Sequence, residues 1–441
     1  MTQQHPSAGS FHGLGISPKL LEILDKKKFT TPTPIQHQCI PHALEGKDVV
    51  GIAQTGTGKT LAFGIPTIQR LAASKGQALI LVPTRELALQ VQESLMNVGA
   101  SVGLKTEAVI GGAAAARQIQ GLRRNPHVVI ATPGRLIDLM EQNKYSPAKV
   151  NTVILDEADR MFDIGFLPDI KRILKQVPTE RQTLLFSATM PPAIAQIAAQ
   201  FMKMPLRIEV SPAGTSAQNV EQELFIVDKQ AKVRLLEKVL KDNAGTALVF
   251  SRTKYGAKKI NRLVQAMGHT AAEIHSNRSL AQRKESLAGF KSGKYRVLVA
   301  TDIASRGIDV TGIAMVINYD LPENNEDYVH RIGRTGRAGM DGKAISFATP
   351  DQRGDIKQIE RLIKKTIPIL NLPKLDKESD AILRALYQGS GSVGSGGGGH
   401  RRSGGGPRSH GPRPGGGRRF GQGSPGGRRG APSRAFSRGN R

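Results

Sequence analysis

The sequence predicts an α/β protein of two tandem doubly wound domains, each built on a parallel sheet, followed by a basic tail without a fold of its own. Three observations carry this. Short, nearly continuous apolar runs alternate with helical stretches through residues 11–368, and such alternation builds parallel sheets covered by helices on both faces. The pattern is interrupted once, by the small and polar residues 209–219 (EVSPAGTSAQN). From Gln388 onward the chain is mostly Gly, Arg, Ser and Pro. The expected organisation is a polar leader over 1–10, a first domain over 11–208, a linker over 209–219, a second domain over 220–368, a short extension over 369–387 and a tail over 388–441.

In chain order, Pro18 to Lys28 carries apolar residues at helical spacing. Val49-Val50-Gly51-Ile52 reads as a buried strand, and Leu61-Ala62-Phe63-Gly64-Ile65 opens a helix. Between them stands Ala53-Gln54-Thr55-Gly56-Thr57-Gly58-Lys59-Thr60. Strand, glycine-rich loop and helix in that order form a phosphate cradle: the glycines let backbone N–H groups close around phosphates, and the helix points its positive dipole end at them. Lys59 is expected to reach the β- and γ-phosphates and Thr60 to hold Mg²⁺. Ala53 occupies the first glycine position of the general G-x-x-x-x-G-K-[ST] pattern, which is therefore not met in full. An incidental lysine in a Gly-rich turn is the alternative, and the flanking strand and helix speak against it. Further buried strands are expected at Ala78–Val82, Val128–Ala131, Thr152–Leu155 and Thr183–Phe186.

Asp156-Glu157-Ala158-Asp159 follows directly on the apolar run Val153-Ile154-Leu155. Carboxylates at the C-terminal edge of a buried strand beside a phosphate loop stand where magnesium and water must be held. Asp156 is expected to serve the metal and Glu157 to polarise the attacking water; a charged surface turn is the plainer alternative. The second block has expected strands at Ala247–Phe250, Arg296–Ala300 and Met315–Asn318 and no second phosphate loop. Two α/β domains sharing one phosphate loop suggest a site completed between them. His330-Arg331-Ile332-Gly333-Arg334-Thr335-Gly336-Arg337 lies in that second block. An arginine inserted at a cleaving γ-phosphate is worth roughly 10³–10⁵ in rate, and delivery from a second domain would make hydrolysis conditional on closure. A basic surface turn is the alternative here.

Composition bounds the partners. The 441 residues carry a formal charge of +27, a field that favours polyanions, nucleic acid before an anionic membrane surface. Nothing approaches the roughly 20 consecutive apolar residues of a spanning helix, and Met1 to Pro6 lacks an apolar signal core. Cys39 is the only cysteine, which excludes disulfides within the chain and thiol metal clusters. A soluble, cytoplasmic protein is expected. The 54 residues from Gln388 contain 11 arginines and neither lysine nor acid, so removing them leaves +16 on residues 1–387. That segment cannot bury enough apolar surface to offset its ordering entropy and should be disordered. It suits a sequence-tolerant RNA-binding arm or a solubilising tail. With only Phe420 and Phe436 as aromatic rings, electrostatics would outweigh stacking.

Taken together, the motifs resemble those of the DEAD-box RNA helicases, in the order that family shows them. Phe29 with Pro32-Thr33-Pro34-Ile35-Gln36 resembles its Q motif, in which the glutamine reads the adenine edge and the aromatic stacks on the ring. Ala53 to Thr60 matches motif I in the family's own form, where alanine is usual, with Thr55, Gly56, Thr57 and Gly58 completing the nucleotide-binding loop. Pro83-Thr84-Arg85-Glu86-Leu87-Ala88, Gly111-Gly112 and Thr132-Pro133-Gly134-Arg135 resemble the first domain's RNA-backbone motifs. Asp156 to Asp159 spells the family name, and Ser187-Ala188-Thr189 resembles the motif that couples ATP state to RNA state. Val249 to Thr253 is similar to motif IV, which carries Arg252, and Ala300 to Asp309 is similar to motif V. By that match Asp309 contacts the ribose, Thr301, Asp302 and Gly307 face RNA, His330 takes a coupling role, and Arg334 and Arg337 take the arginine-finger positions. The resemblance covers about residues 11–370.

The resemblance implies two RecA-like domains and ATP-dependent, local strand separation of RNA duplexes or remodelling of ribonucleoproteins, with ATP and Mg²⁺ as cofactors. RNA, single-stranded or duplex, would be gripped by its backbone and largely without regard to sequence. One position departs from the pattern: where the family often has Gln-x-x-Arg, this chain reads Leu280-Ala281-Gln282-Arg283, keeping Arg283 and replacing the glutamine. The glycine–arginine tail points to the RhlE-type bacterial branch. A monomer is expected, with ribosomal or RNA-decay assemblies as candidate settings. Three other readings stand beside it. A non-catalytic ATP-gated clamp would lose Glu157 or the fingers; a DNA helicase shares the backbone physics; a P-loop kinase or GTPase leaves the paired arginines of a second domain unexplained.

Overall fold

The computed structural model describes residues 9–54, 56–210, 220–305, 310, 312–336 and 341–375, all within one compact unit that spans residues 1–390. Among these, seven strands form a first sheet: β1 (Val49–Ile52), β2 (Gln77–Leu81), β3 (Thr106–Val109), β4 (Val128–Ala131), β5 (Val150–Asp156), β6 (Gln182–Ser187) and β7 (Leu206–Glu209). Seven more form a second: β8 (Val220–Ile226), β9 (Ala247–Phe250), β10 (Ala271–Ile274), β11 (Val297–Ala300), β12 (Met315–Asn318), β13 (Gly342–Ala348) and β14 (Ile369–Leu370). The spatial orders are β3-β4-β2-β5-β6-β1-β7 and β10-β11-β9-β12-β13-β8-β14. Counted from the first strand of each, the two orders are the same, so one α/β plan is used twice, and every pairing is parallel.

The continuous apolar runs follow from this plan. Successive residues of a strand point to opposite faces, and here both faces are covered. Ala78, Ile80 and Val82 join one core cluster, while Leu79 and Leu81 join the other. In the second sheet Leu248 and Phe250 face one cluster and Ala247 and Val249 the other. Each fully buried Leu, Ile or Phe contributes about 1.5–3 kcal/mol. Strands β1, β2, β4, β5, β6, β9, β11 and β12 lie where the apolar runs predict them. Strands β3, β7, β10 and β14 are the sheet edges; polar residues interrupt the run in the first three, with only Ile208 buried in β7, and β14 is two exposed residues long. In β8 and β13, glutamine, glutamate, lysine and serine interrupt it.

Two sequence boundaries shift by a residue or two. β7 continues through Glu209, inside the stretch read as linker, and the Val210 N–H still donates to the Ile52 carbonyl at 3.1 Å. β14 adds an edge strand beyond Pro368. Backbone pairing decides both, and composition does not record it. At the root of β1, the buried Asp48 accepts from the Thr183 and Lys203 N–H groups, each at 2.7 Å, and so ties β1 to β6 and to the segment entering β7.

Candidate active site

The C-terminal ends of β5, β6 and β1 are neighbours in the first sheet, so three distant sequence motifs emerge side by side. The phosphate loop leaves β1 and runs into the helix Lys59–Ala73, which begins directly after Gly58. Gly58 has φ of +87°, and a Cβ there would run into the Gln36 amide nitrogen, so both backbone and space require glycine. Gln36 is buried; its Oε1 accepts from the Thr33 N–H at 2.9 Å and its Nε2 donates to the Gly58 carbonyl at 2.9 Å. The side chain expected to read adenine thus also ties the loop before its own helix to the phosphate loop. The Thr57 hydroxyl closes the turn on the Gln54 carbonyl, and the Lys59 amine donates back to the Ala53 carbonyl at 2.9 Å. Phe29, Gly56, Lys59, Thr60, Asp156 and Glu157 line one cavity of about 340 Å³.

Arg334, from the second α/β half, lines the same cavity. That is the convergence the single phosphate loop suggests. Thr55, Gly307, Asp309 and Arg337 lie outside the described residues, as do the leader through residue 8, residues 211–219 of the linker and the tail.

The acidic cluster is buried. Burial pushes the Asp156 carboxyl up to about 7; Lys59 opposes this, and Glu157 adds to it. Glu157 sits at φ +54°, ψ +51°, a left-handed conformation that is costly for a side chain of its size and typical of functional sites. Its N–H donates to Asp156 Oδ1 at 3.0 Å. Asp159 Oδ2 accepts from the Ala188 N–H (3.0 Å), the Thr189 N–H (2.8 Å) and the Thr189 hydroxyl (3.0 Å), while its own N–H donates to the Ser187 hydroxyl at 3.1 Å. Burial alone would push the Asp159 carboxyl up, but His330, Lys59 and Arg160 outweigh it and hold it low. Asp159 therefore meets Ser187, Thr189 and His330, to which the resemblance gives a coupling role, in one network.

The residues expected to face RNA leave the same C-terminal edge, at the β3-β4-β2 side of the first sheet and the β10-β11-β9 side of the second. In the first, Thr84 and Arg85 follow β2, Gly112 follows β3, and Thr132, Gly134 and Arg135 follow β4; these strands are neighbours. The Thr84 hydroxyl accepts from the Leu87 N–H at 3.2 Å and caps the helix Arg85–Gly99. Gly112, at φ +73°, lets the Arg85 guanidinium lie against its Cα, and Arg135 donates to the Ala113 carbonyl at 3.2 Å. Gly134, in the first turn of the helix Pro133–Glu141, has open space where a side chain would be. In the second sheet Arg252 follows β9 and Thr301 and Asp302 follow β11, again neighbours, and all three line a cavity of about 360 Å³ with Asp163 of the first half.

Two residues expected to contact RNA also have protein partners in the folded chain. The Asp302 carboxylate is held bidentately by Arg331, with Nη2 to Oδ2 at 2.7 Å, and a carboxylate is in any case a poor neighbour for phosphate. The Arg283 Nε stands 2.8 Å from Oε1 of Glu86, in the first half. Residues that motif reading passed over carry much of the site. Arg160, 1% exposed, donates to Glu157 Oε2 at 2.8 Å and stands 3.4 Å from His330 Nδ1 across the two halves. Arg331, equally buried, also donates to Asn318 Oδ1 at 3.2 Å and lies 4.9 Å from the Phe250 ring centre. Each directly adjoins a recognised motif residue, but only tertiary burial distinguishes these arginines from the many on the surface.

Comparison with known proteins agrees with this arrangement. The DEAD/DEAH box helicase family model matches residues 33–197, and the helicase conserved C-terminal domain matches residues 231–339. A relative from Bacillus cereus, the DEAD-box ATP-dependent RNA helicase CshA, is 42% identical over 382 residues, 86% of this chain and 73% of its own. The ATP-dependent RNA helicase CshA of Listeria monocytogenes is 43% identical over 381 residues, again 86% and 73%. These names belong to a different branch from the RhlE type that the tail suggested. Among solved structures, S. cerevisiae Dbp5 bound to RNA and ADP BeF3 superposes with a TM-score of 0.74 at 28% identity, covering 87% of this chain and 99% of that one.

Proposed function

The chain belongs to the DEAD-box family of ATP-dependent RNA helicases, and from that premise we propose how its residues divide the work of an RNA-dependent ATPase. One observation carries the reading: residues from both α/β halves, Lys59, Thr60, Asp156 and Glu157 from one and Arg334 from the other, line a single cavity. Lys59 and the loop N–H groups bind the β- and γ-phosphates, Phe29 and Gln36 engage the base, and Asp309 the ribose. Glu157 orients the attacking water, and Arg334 with Arg337 meets the charge that develops on the phosphoryl oxygens. Arg160 holds one oxygen of the Glu157 carboxylate and leaves the other for water.

The donor set fits Mg²⁺. Among the described residues no group of three or more His, Cys, Asp or Glu side chains could hold a metal alone, but magnesium bound to a nucleotide needs only one or two protein ligands and keeps several waters. Thr60 and Asp156, whose carboxyl is pushed up by burial and then by Glu157 and Asp159 beside it, would hold it, and a cation there would favour the ionised carboxylate. When bound, it supplies neutralisation of phosphate charge.

RNA would lie across the C-terminal ends of β3, β4 and β2 and of β10, β11 and β9, gripped by Arg85, Gly112, Thr132, Gly134, Arg135, Arg252, Thr301 and Gly307. A strand held across both edges cannot keep duplex geometry, so closure separates a few base pairs and hydrolysis reopens the halves. Asp159, Ser187, Thr189 and His330 link the two events. The chain would act as a monomer in the cytoplasm, on RNA in ribosomal or RNA-decay assemblies; among the described residues no helix is long and apolar enough to cross a membrane. The test is steady-state ATP hydrolysis by the full chain alone, with single-stranded RNA, and with matched DNA. Stimulation by RNA and not by DNA is expected; equal stimulation by DNA, or tight binding of ATP and RNA without turnover, would overturn the reading.

A further inference from the structure

The helix Lys254–Ala266 starts at the C-terminal edge of the second sheet, just after β9 and Arg252. The Thr253 hydroxyl caps it, accepting from the Gly256 N–H at 2.9 Å, and so fixes the backbone of the two residues between. The first of these, Lys254, lines the cavity of about 360 Å³ that Arg252, Thr301 and Asp302 share. Its amine donates to Asn277 Oδ1 at 3.1 Å and lies 5.3 Å from the centre of the Tyr255 ring. Tyr255 is 72% exposed. Among the described residues every other Phe or Tyr is buried or half-buried, save Phe162 at 37%.

We propose that Tyr255 is a base-stacking residue: a nucleotide of the strand held along this edge lays its base on the Tyr255 ring, while Arg252 and Lys254 meet the phosphates beside it. A lone exposed ring is ordinary on a protein surface. This one stands in the first turn of a helix whose preceding residue already lines the RNA-facing cavity, with that residue's ammonium within cation–π distance of the ring. A flat apolar face beside fixed cations matches a nucleotide, which joins a flat base to an anionic phosphate. Because every base has a π-face, the contact adds affinity without reading sequence. It does discriminate by strandedness: an unpaired base can be splayed out onto an aromatic ring, whereas a base inside a helix is covered by its neighbours. Tyr255 would thus favour the separated strand over the duplex. This rests on the RNA path proposed above.

The experiment uses the full chain and three variants, Tyr255→Ala, Tyr255→Phe and Arg252→Ala. Fluorescence anisotropy, with a non-hydrolysable ATP analogue present, gives the affinity for a short labelled single-stranded RNA and for copies in which one base at a time is replaced by an abasic site. Tyr255→Ala is expected to weaken binding by about fivefold or more, the size of one lost base stack, and Tyr255→Phe to stay within about twofold of the parent. One abasic copy should weaken binding to the parent by a similar factor and bring no further loss in Tyr255→Ala, the non-additivity of a direct pair. Parental affinity in Tyr255→Ala overturns the proposal, as does an equal loss in Tyr255→Phe, which would assign the contact to the hydroxyl. Should the alanine variant misfold, the abasic series on the parent still decides: a parent indifferent to every missing base overturns the stacking role. Full RNA affinity in Arg252→Ala would instead defeat the RNA path itself.

Discussion

Gly58→Ala tests the conformational demand of the phosphate loop. Gly58 sits at φ +87°, and an added Cβ would collide with the Gln36 amide nitrogen and come within 3.1 Å of Thr33 Oγ1. Holding an L-residue in the left-handed region costs about 1–2 kcal/mol. Displacing Gln36 forfeits its bond to the Gly58 carbonyl, about 0.5–1.5 kcal/mol. The total, about 1.5–3.5 kcal/mol, has two places to appear. If the loop keeps its shape, the folded state is destabilised by that amount. If the loop relaxes, ATP affinity falls instead, by about 10- to 300-fold at tenfold per 1.4 kcal/mol. Urea unfolding followed by circular dichroism and titration of a fluorescent ATP analogue, on one preparation, together recover the sum. A variant with parental unfolding midpoint and parental nucleotide affinity would refute the argument.

Glu157→Gln should lower RNA-stimulated kcat by about 10²–10⁴ while still binding ATP and RNA, so that the complex stalls closed; normal turnover in a steady-state assay would remove Glu157 from its role. Arg331→Ala removes the partner of the Asp302 carboxylate and of Asn318 Oδ1, and losing one side of such a buried pair costs about 3–5 kcal/mol. Thermal unfolding should register it, and a loss under about 1 kcal/mol would mean that solvent replaces the guanidinium. Truncation before Gln388 takes away 11 arginines; duplex RNA should then bind more weakly, with a shallower dependence of log K on log salt. An unchanged slope in a filter-binding titration would show that the tail makes no phosphate contacts.

Much of the site is legible along the chain because its chemistry is local. The loop from Gln54 to Thr60 needs consecutive residues between a strand and a helix, and Asp156 to Asp159 needs the end of a buried strand; both conditions can be met within a few positions of sequence. The strands that escape sequence reading are mostly edges. A run such as Thr106-Glu107-Ala108-Val109 is half-exposed and so loses the apolar signature that marks a central parallel strand. Arg160 and Arg331 escape for another reason. In a chain of 63 lysines and arginines nothing in the residue type says which cation is buried, and Arg160 meets its second-half partner His330 across 170 residues.

The order of apolar runs, glycines and carboxylates along the chain discloses two α/β domains, one phosphate loop and an arginine-bearing second half, since each of these rests on backbone geometry or charge within a short segment. Only the folded chain decided what stands beside what. The shared strand order brings β5, β6 and β1 together on one side and β3, β4 and β2 on the other, separating the nucleotide cavity from the candidate RNA edge. Packing within the second half turned Asp302 to Arg331, and packing between the halves set Arg283 beside Glu86. A charged side chain excluded from water takes the counter-charge that topology places within reach, and that choice is made between segments far apart in the chain.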